Sequence, residues 1–388
     1  MGFREVLESW PPERIRRLIE AARPEDVTRA LSHERCSLED LAALLSPAAA
    51  TRLEEMAQRA HRLTRRHFGR TIGLYVPLYL SNVCTADCTY CFFAVRSGGQ
   101  GVRRTLTPAE IRGECEALAR QGFQTVLLLT GDAPKAAPLE YLAQAVAIAR
   151  EYFASVSLEV YALEEEDYRR LVAEGLEGVT LYMETYDRDT YARVHLRGKK
   201  RNFDWRLDAI ERAGRAGVRR LSIGALLGLY DWRLEGFWTA MHARYLQREC
   251  WRSAVAVSFP RLRQAPARHR ILYPLRDRDL VHLMLALRLF LPEAGFNLST
   301  RERPDLRDRL IPLGVTMMSA GSSTRPGGYT GLGRESLAQF DIEDRRSPRE
   351  VAEAIRRAGY DPVWKDFDRA FYEDYPMGNK TSARGCPS

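Results

Sequence analysis

The chain has 388 residues, 45% of them hydrophobic, and a formal net charge of +8 at pH 7. It is long enough to bury a large core, and it shows neither a signal peptide nor an apolar run near the roughly 20 residues of a membrane span, so we expect a cytoplasmic protein with no membrane partner. Its arginines alternate with acids along predicted helices, which is typical of solvated helix faces and favours an anionic small molecule or an acidic protein over a nucleic acid as partner.

Residues 1–70 have a helical pattern, and none of their side chains suggests chemistry. Pro11 and Pro12 suit the first turn of one helix, and Ser37 suits the N-cap of the next. A third helix is predicted over 47–68. We expect this part of the chain to form a helical cap that packs on the outside of the main domain.

From residue 72 the chain alternates short runs rich in Val, Leu and Ile with amphipathic helical runs, as expected for strands buried on both faces. Eight repeats over about 250 residues predict an α/β fold, a (β/α)8 TIM-type barrel, with an open barrel of six strands as the alternative. The predicted strands are 72–80, 124–130, 155–160, 177–183, 219–224, 253–258, 296–299 and 314–318. The predicted helices between them include 107–121, 138–152, 164–174, 204–216, 235–250 and 277–291.

No linker rich in Pro, Gly or Ser divides this region, so we expect one barrel domain over 71–335 and a C-terminal extension over 336–388. The extension contains a predicted helix over 347–358, with Ser347 as a fitting N-cap and Pro348 as a fitting first residue. The last residues, 375–388, are small and polar and are predicted to be disordered.

The seven cysteines are odd in number and scattered apart from three, which indicates a reducing compartment rather than a disulfide framework. Cys84, Cys88 and Cys91 follow the first predicted strand with the spacing C-x3-C-x2-C. Three thiolates on one loop suit a cubane iron–sulfur cluster, because thiolate sulfur binds iron well, and the loop leaves the fourth iron without a protein ligand. The other cysteines are expected to be ordinary buried or half-buried thiols (Cys36, Cys115 and Cys250) and an exposed thiol (Cys386).

A zinc-stabilised binding module is the alternative from a different functional class. Structural zinc usually has four protein ligands in paired C-x2-C knuckles, whereas this chain has one C-x2-C and no histidine close to it in sequence. The loop therefore favours an iron cluster.

The cysteine spacing, with Tyr90 before the last cysteine, resembles that of the radical S-adenosylmethionine (SAM) enzymes. That resemblance implies a [4Fe–4S] cluster whose free iron binds SAM and whose electron releases a 5′-deoxyadenosyl radical. A series of motifs between about residues 70 and 370 resembles, more narrowly, the tyrosine lyases of thiamine biosynthesis, the 2-iminoacetate synthases. They include Leu127-Leu-Leu-Thr-Gly-Asp, Glu184-Thr-Tyr-Asp, His195-Leu-Arg-Gly-Lys-Lys, Ser319-Ala-Gly-Ser-Ser and Pro362-Val-Trp-Lys-Asp.

This narrower resemblance implies cleavage of the Cα–Cβ bond of L-tyrosine to 2-iminoacetate and p-cresol. It also implies thiazole synthase as a partner and a reductant such as flavodoxin or ferredoxin. A lyase of the same family that converts L-tryptophan to 3-methyl-2-indolic acid is the alternative. The hydrogenase-maturation tyrosine lyases are disfavoured, because they hold a second cluster on a cysteine-rich extension and this extension has only Cys386.

The resemblance assigns to SAM a set of residues at the ends of strands two to four and at the start of a later helix, together with the tyrosine of the cysteine motif. They are Thr130, Gly131 and Asp132 for the amino group, Glu159 and Glu184 for the ribose or ammonium, Arg206 for the carboxylate and Tyr90 for the adenine. The alternatives are an ordinary strand-to-helix turn at 130–132 and a solvated rim acid at position 159.

Arg301, after the seventh predicted strand, is the first choice to clamp the tyrosine carboxylate, because a guanidinium matches a carboxylate with two parallel hydrogen bonds. Ser319 would bind the same carboxylate, Tyr79 would contact the substrate amine and SAM, and Ser322 is a weaker candidate. The chain differs from the family at Phe92, where glycine usually follows the third cysteine.

Overall fold

The structure is a computed structural model that describes residues 2–97 and 99–365. Eight parallel strands form a closed barrel, since each pairs with the next and the eighth pairs with the first. This closure confirms the (β/α)8 prediction over the open six-stranded alternative. The strands are β1 (Thr71–Ser81), β2 (Thr125–Thr130), β3 (Ser155–Glu159), β4 (Gly178–Thr180), β5 (Arg220–Ile223), β6 (Ala254–Ser258), β7 (Gly295–Leu298) and β8 (Met317–Ser319).

Five helices precede the barrel: α1 (Phe3–Glu8), α2 (Pro12–Ala21), α3 (Pro24–Ser32), α4 (Leu38–Leu44) and α5 (Leu53–Phe68). Pro12 occupies the first turn of α2, and the Ser37 hydroxyl caps α4 by accepting from the Asp40 backbone N–H, as predicted. The helices lie against the outside of the barrel. For example, the Trp238 indole N–H donates to the carbonyl of Trp10 at 3.0 Å.

Helices alternate with the strands and form the outer layer of the barrel. They are α6 (Pro108–Ala119), α7 (Leu139–Arg150), α8 (Glu165–Ala173), α9 (Arg188–Val194), α10 (Phe203–Leu207), α11 (Ala209–Arg215), α12 (Trp232–Glu249), α13 (Asp277–Phe290) and α14 (Pro304–Leu310). The helix predicted over 204–216 is divided at Asp208, a weak helix former. The eighth strand begins later than predicted, because Gly314 adopts a φ of 121° in the turn before it. The short helices α9 and α14 were not predicted.

The extension begins with irregular chain that returns across the mouth of the barrel and continues into α15 (Pro348–Arg357). The Ser347 hydroxyl caps α15 by accepting from the Glu350 backbone N–H, as predicted. A short strand, β9 (Asp361–Val363), then pairs in parallel with the start of β1 and was not predicted. The predicted disorder over 375–388 and the predicted exposure of Cys386 lie outside the described residues.

The interior is built largely from aliphatic strand residues and from the helix faces that cover them, in one core that includes the N-terminal helices. Cys36, Cys115 and Cys250 are buried free thiols, as expected. None of the helices in the described part of the chain is long and apolar enough to cross a membrane.

Candidate active site

The cysteine loop, residues 84–91, follows β1 at the carboxyl end of the barrel. The end of α9 and the residues after it hold the loop in place: the Thr89 N–H donates to the Val194 carbonyl at 2.9 Å, and the Leu196 N–H donates to the Asp87 carbonyl at 3.0 Å. The buried Asp87 carboxylate accepts from Arg268 at 2.6 Å. The loop is therefore fixed by backbone pairing and by a buried charge, which orients its three thiols.

Each cysteine thiol of the loop lies close to another. Burial raises the pKa of the Cys84 and Cys91 thiols to about 11 and that of the Cys88 thiol to about 12, and the charge of a neighbouring cysteine raises each pKa further. In the described part of the chain, however, no three His, Cys, Asp or Glu side chains converge on a point where one metal ion would sit. The donor set itself, three thiolates from one short loop, is that of an iron–sulfur cluster, whereas structural zinc takes four protein ligands.

The end of β2 touches this loop and depends on glycine. A Cβ atom at Gly131 would lie 2.2 Å from the Val83 carbonyl oxygen, so a larger residue would displace the loop. The Asp132 carbonyl accepts from both the backbone N–H and the hydroxyl of Thr85 at 2.8 Å. The Thr130 hydroxyl is buried and has no hydrogen-bond partner among the described residues. The 130–132 segment is thus more than an ordinary turn, since it is fitted to the cysteine loop.

A group of charged side chains lies beyond the ends of β3 and β4. Lys200 donates to Glu184 Oε1 at 2.7 Å, and an Arg206 guanidinium nitrogen lies 3.8 Å from the same oxygen. Burial works to raise the pKa of Glu184, but the positive charges of Lys200 and Arg206 outweigh it and hold that pKa below its usual value. Glu184 also has a φ of 69°, the one positive φ of a non-glycine residue in the described chain.

Glu159 lies close to Glu184 but has a different environment. Burial, and then the negative charge of Glu184, raise its pKa to about 7. This is not the behaviour of a solvated rim acid. At neutral pH the two carboxyl groups therefore differ, with Glu184 ionised and Glu159 near its midpoint.

Tyr90 belongs to the cysteine loop and is buried against a histidine that was not singled out from the sequence. Its hydroxyl lies 2.9 Å from His195 Nε2, and His195 Nδ1 lies 2.9 Å from the Tyr191 carbonyl. The carbonyl can only accept, so Nδ1 carries the proton and Nε2 accepts from Tyr90. The motif His195-Leu-Arg-Gly-Lys-Lys thus supplies both this partner and Lys200 of the charged group.

The residues predicted for the amino-acid substrate meet on the opposite side of the mouth. The Tyr79 hydroxyl donates to Gln339 Oε1 at 2.5 Å. The Ser319 hydroxyl accepts from the Thr300 N–H at 3.0 Å, and the Ser322 hydroxyl is buried with no hydrogen-bond partner among the described residues. The extension also supplies Phe340, whose ring lies against the Arg301 guanidinium. Neither Gln339 nor Phe340 was predicted.

One cavity extends from residues predicted to bind the cluster and SAM to residues predicted to bind the amino acid. It is lined by Cys91, Tyr90, Glu159 and Glu184 on one side and by Tyr79, Arg301, Ser319 and Ser322 on the other. Phe92, which stands where the family usually has glycine, also lines this cavity. Thr130, Gly131, Asp132 and Arg206 do not appear in its lining; Asp132 and Arg206 line a smaller adjoining space with Lys200.

Two family models match the chain: the radical SAM superfamily over residues 78–242 and the biotin and thiamin synthesis associated domain over residues 258–361. The chain is 45% identical to the 2-iminoacetate synthase of Escherichia coli (strain K12) over 92% of its own length and 94% of that protein. The chain belongs to the 2-iminoacetate synthase family of radical SAM enzymes. The relative from Salmonella typhimurium is 44% identical over the same shares of both chains.

Solved structures agree with this assignment. HydG, a maturase of the [FeFe]-hydrogenase, superposes with a TM-score of 0.85 at 31% identity, covering 92% of this chain and 80% of that one. Methylornithine synthase, with a TM-score of 0.68 at 21% identity, covers 87% of this chain and 97% of that one and supports the fold alone. A [4Fe–4S] cluster and SAM are the cofactors of this family, and the cysteine loop fits the cluster.

The other three arginines near the mouth do not line the cavity, and each pairs with a carboxylate. Arg307 is buried and paired with Asp344, and Arg303 pairs with Asp305 on the surface. Arg263 lies 3.3 Å from Glu302. Arg301 alone of these four lines the cavity that also contains Cys91.

Proposed function

We propose that this member of the family is a carbon–carbon lyase that cleaves the Cα–Cβ bond of L-tyrosine to 2-iminoacetate and p-cresol. The observation that carries the proposal is that Arg301 and Ser319 line the same cavity as Cys91 and Glu184. An amino-acid carboxylate held by Arg301 would lie beside the position where the three cysteines hold the cluster.

When bound, the cluster and SAM supply a radical that removes a hydrogen atom from the tyrosine amino group. The chain's own residues position the two ligands. Cys84, Cys88 and Cys91 hold the cluster. The Thr130 hydroxyl, which has no partner among the described residues, and the Asp132 carboxylate face the SAM amino group, and Gly131 permits its close approach. Arg206 pairs with the SAM carboxylate, because it is buried and carries a fixed positive charge.

Glu184 and Glu159 have different tasks in this proposal. Glu184, held ionised by Lys200, accepts hydrogen bonds from the ribose or ammonium of SAM. Glu159 lies on the cavity wall between the cysteine loop and Arg301, where its carboxyl group takes part in SAM binding. Tyr90 packs beside the adenine, with its hydroxyl fixed by His195.

On the substrate side, Arg301 and the Ser319 hydroxyl bind the tyrosine carboxylate, and Ser322 adds an unpaired hydroxyl. Tyr79 contacts the substrate amine, with its ring held by Phe93 at a centroid distance of 5.9 Å. Phe340 and Gln339 close the mouth on this side and exclude water, which protects the 2-iminoacetate from hydrolysis. Thiazole synthase would consume that product in thiamine biosynthesis.

The test is product analysis with the reconstituted protein under anaerobic conditions. The protein is incubated with SAM, dithionite and either L-tyrosine or L-tryptophan. We expect p-cresol from tyrosine and no 3-methyl-2-indolic acid from tryptophan. The matched control is Cys91→Ala, which should make neither. Turnover of tryptophan in place of tyrosine would replace this proposal with the tryptophan lyase.

A further inference from the structure

A second cavity lies inside the barrel, on the amino-terminal side of the active site. It has a volume of about 210 Å³, and we call it the lower cavity. Tyr75, Leu127 and Tyr182 line both this cavity and the active-site cavity, so they form the boundary between the two. At its other end the lower cavity reaches Arg220, the first residue of β5, and the exposed Glu293. It therefore runs from the floor of the active site to the amino end of the barrel.

The lower cavity exists because the inward-facing strand residues are small. Bulky branched side chains usually fill the interior of a (β/α)8 barrel in layers. In this barrel the bulky side chains occupy outward positions, where Leu74, Val156 and Phe296 have no exposed surface. The inward positions of six strands carry only a hydrogen, a methyl or a hydroxymethyl group, at Gly73, Ser157, Gly178, Ser222, Ala256 and Gly295. Because six strands leave room in the same way, the space is a regular feature of the barrel rather than a single packing defect.

The walls of the lower cavity are polar but almost uncharged. The Ser222 and Ser258 hydroxyl oxygens lie 3.2 Å apart, and the Asn297 side-chain amide donates to Ser222 at 3.1 Å. This orientation leaves the Asn297 carbonyl oxygen to accept a hydrogen bond from a ligand. Of the described residues in the lining, only Arg220 and Glu293 are charged, and both lie at the amino end. A neutral molecule with a hydroxyl group suits these walls, whereas an anion would lose its hydration without gaining a cation.

We propose that the lower cavity is a binding site for the phenolic product, p-cresol. The inference rests on the proposed function, in which Arg301 and Ser319 hold the carboxylate of tyrosine. Phe340 packs on Arg301 at the mouth, and SAM occupies the side of the cysteine loop. The direction that remains for the tyrosine ring is towards Tyr75 and Tyr182, the boundary of the lower cavity. Cleavage of the Cα–Cβ bond then leaves p-cresol beside this boundary.

The size and charge of p-cresol fit the space. A cavity of about 150 Å³ in another protein binds benzene, so about 210 Å³ can hold a benzene ring with a methyl and a hydroxyl group. A phenol with a pKa of about 10 is neutral at pH 7, so it enters without the cost of burying a charge.

The other product, 2-iminoacetate, is the competing ligand. Its carboxylate is paired with Arg301, and the lining of the lower cavity offers no second cation before Arg220 at the amino end. The two products therefore separate by charge. The anion stays at the mouth, and the neutral phenol moves into the barrel.

The experiment titrates p-cresol into the reconstituted holoenzyme by isothermal calorimetry under anaerobic conditions. SAM and L-tyrosine are present at saturation and no reductant is added, so the active-site cavity is filled and no turnover occurs. We expect one p-cresol to bind per chain. In Ala256→Leu, which fills the lower cavity from β6, the dissociation constant should rise about tenfold or more. Ala256→Ser keeps the space and should match wild type. So should Ala21→Leu, which adds the same side chain at an exposed position of α2.

Two further measurements identify the site and the ligand class. Gly73→Ala narrows the lower cavity from another strand, and its Cβ atom would lie 3.4 Å from Met317 Cγ, an ordinary contact. It should weaken p-cresol binding about threefold, which tests the site independently of how well Ala256→Leu folds. 4-Hydroxybenzoate, with a carboxylate in place of the methyl group, should bind about tenfold more weakly than p-cresol or worse.

The proposal would be overturned if p-cresol did not bind while tyrosine was present, or if wild type, Ala256→Leu and Gly73→Ala bound it equally. Tighter binding of 4-hydroxybenzoate than of p-cresol would also overturn it, because the cavity would then suit an anion. The titration uses added p-cresol and needs no turnover. Absence of p-cresol from a reaction with dithionite would therefore count against the proposed function alone.

Discussion

The Arg301 Cζ atom lies 3.6 Å from the centroid of the Phe340 ring. Arg301 follows β7, and Phe340 belongs to the segment that crosses the mouth of the barrel. Burial lowers the pKa of Arg301, and the face of an aromatic ring offsets part of the cost of burying the charge without neutralising it. The guanidinium can therefore bind a substrate carboxylate.

Replacing Arg301 should remove substrate binding and leave the cluster in place. For Arg301→Ala we expect kcat/KM for tyrosine to fall roughly 100-fold or more, since an unpaired buried carboxylate costs about 3 kcal/mol.

Phe340→Leu should raise KM for tyrosine by roughly fivefold, from the loss of about 1 kcal/mol of cation–π energy. Steady-state p-cresol assays measure both kinetic effects, and iron analysis shows whether the cluster is retained.

The matched control for that pair is Arg303→Ala, because Arg303 is two residues away and pairs with Asp305 on the surface. It should behave like wild type. If Arg301→Ala also lost its iron, the assigned role of Arg301 would be wrong, since the residue would then act on the fold of the site.

The cluster ligands can be separated from the structural thiols by substitution. Cys91→Ala should yield a protein that binds far less iron after reconstitution and makes no p-cresol, since the loop would offer two thiolates instead of three. Cys36→Ala removes a buried thiol that lies between α3 and α4, away from the cysteine loop. Its iron content and visible absorbance should match wild type. Equal iron in the two variants would contradict the ligand assignment.

Much of this architecture could be predicted from local sequence. The C-x3-C-x2-C spacing identified the loop, and the alternation of apolar and amphipathic runs predicted eight strands. Arg301 and Ser319 could be placed at strand ends, since parallel strands of one barrel all end at the same face. These features depend on residues that are close in sequence or on a regular repeat.

The features that could not be predicted from the sequence depend on tertiary packing. Gln339 bonds to Tyr79 across 260 positions of the sequence, and nothing in either segment indicates the pairing. His195 meets Tyr90 in the same way. The strand β9 has three residues, one of them proline, so its pairing with β1 leaves no periodic signal. Sequence patterns therefore predicted the cysteine loop and the strand ends that form the site, but not Gln339 and His195, which contact its tyrosines.

A buried ion pair supports the substrate side and can be tested by stability. Arg307 donates to the Asp344 carboxylate and to the Ser319 carbonyl, and Arg307 and Asp344 have no exposed side-chain surface. Asp344→Asn leaves a buried guanidinium without its counter-charge and should lower the free energy of unfolding by about 3–5 kcal/mol. Urea denaturation measures this, and the surface variant Asp305→Asn should change it little.

The same ion pair should make the stability of the fold depend on pH in the acid range. Burial works to raise the pKa of Asp344, but the hydrogen bond from Arg346 and the charge of Arg307 hold that pKa below its usual value. A depressed carboxyl pKa stabilises the fold above the unfolded-state value of about 3.9 and loses that contribution as pH falls through the folded value. Wild type and Asp344→Asn should therefore converge in stability below about pH 4. A constant difference down to pH 2.5, well below that limit, would contradict the assignment.

Glu235 holds the backbone next to Glu184, the residue with the positive φ. It makes the stability of the fold fall as pH rises, which is opposite to the effect of Asp344. Its carboxyl group accepts from the Thr185 hydroxyl and, at 3.0 Å, from the Tyr186 N–H, the two residues that follow Glu184. Burial raises the pKa of Glu235 to about 8. In the unfolded chain the group titrates near 4.3, so between about pH 4.5 and 8 unfolding releases a proton and stability falls as pH rises.

Glu235→Gln cannot titrate, and its amide can accept from the Tyr186 N–H while donating to the Thr185 hydroxyl oxygen. The urea midpoint of wild type, measured relative to this variant, should therefore fall steadily from pH 5 to pH 8. The KM for SAM should stay near wild type in Glu235→Gln and rise in Glu235→Ala, which removes both contacts and releases Glu184 from its left-handed conformation. Parallel stability curves for wild type and Glu235→Gln would show that Glu235 is ionised in the folded protein.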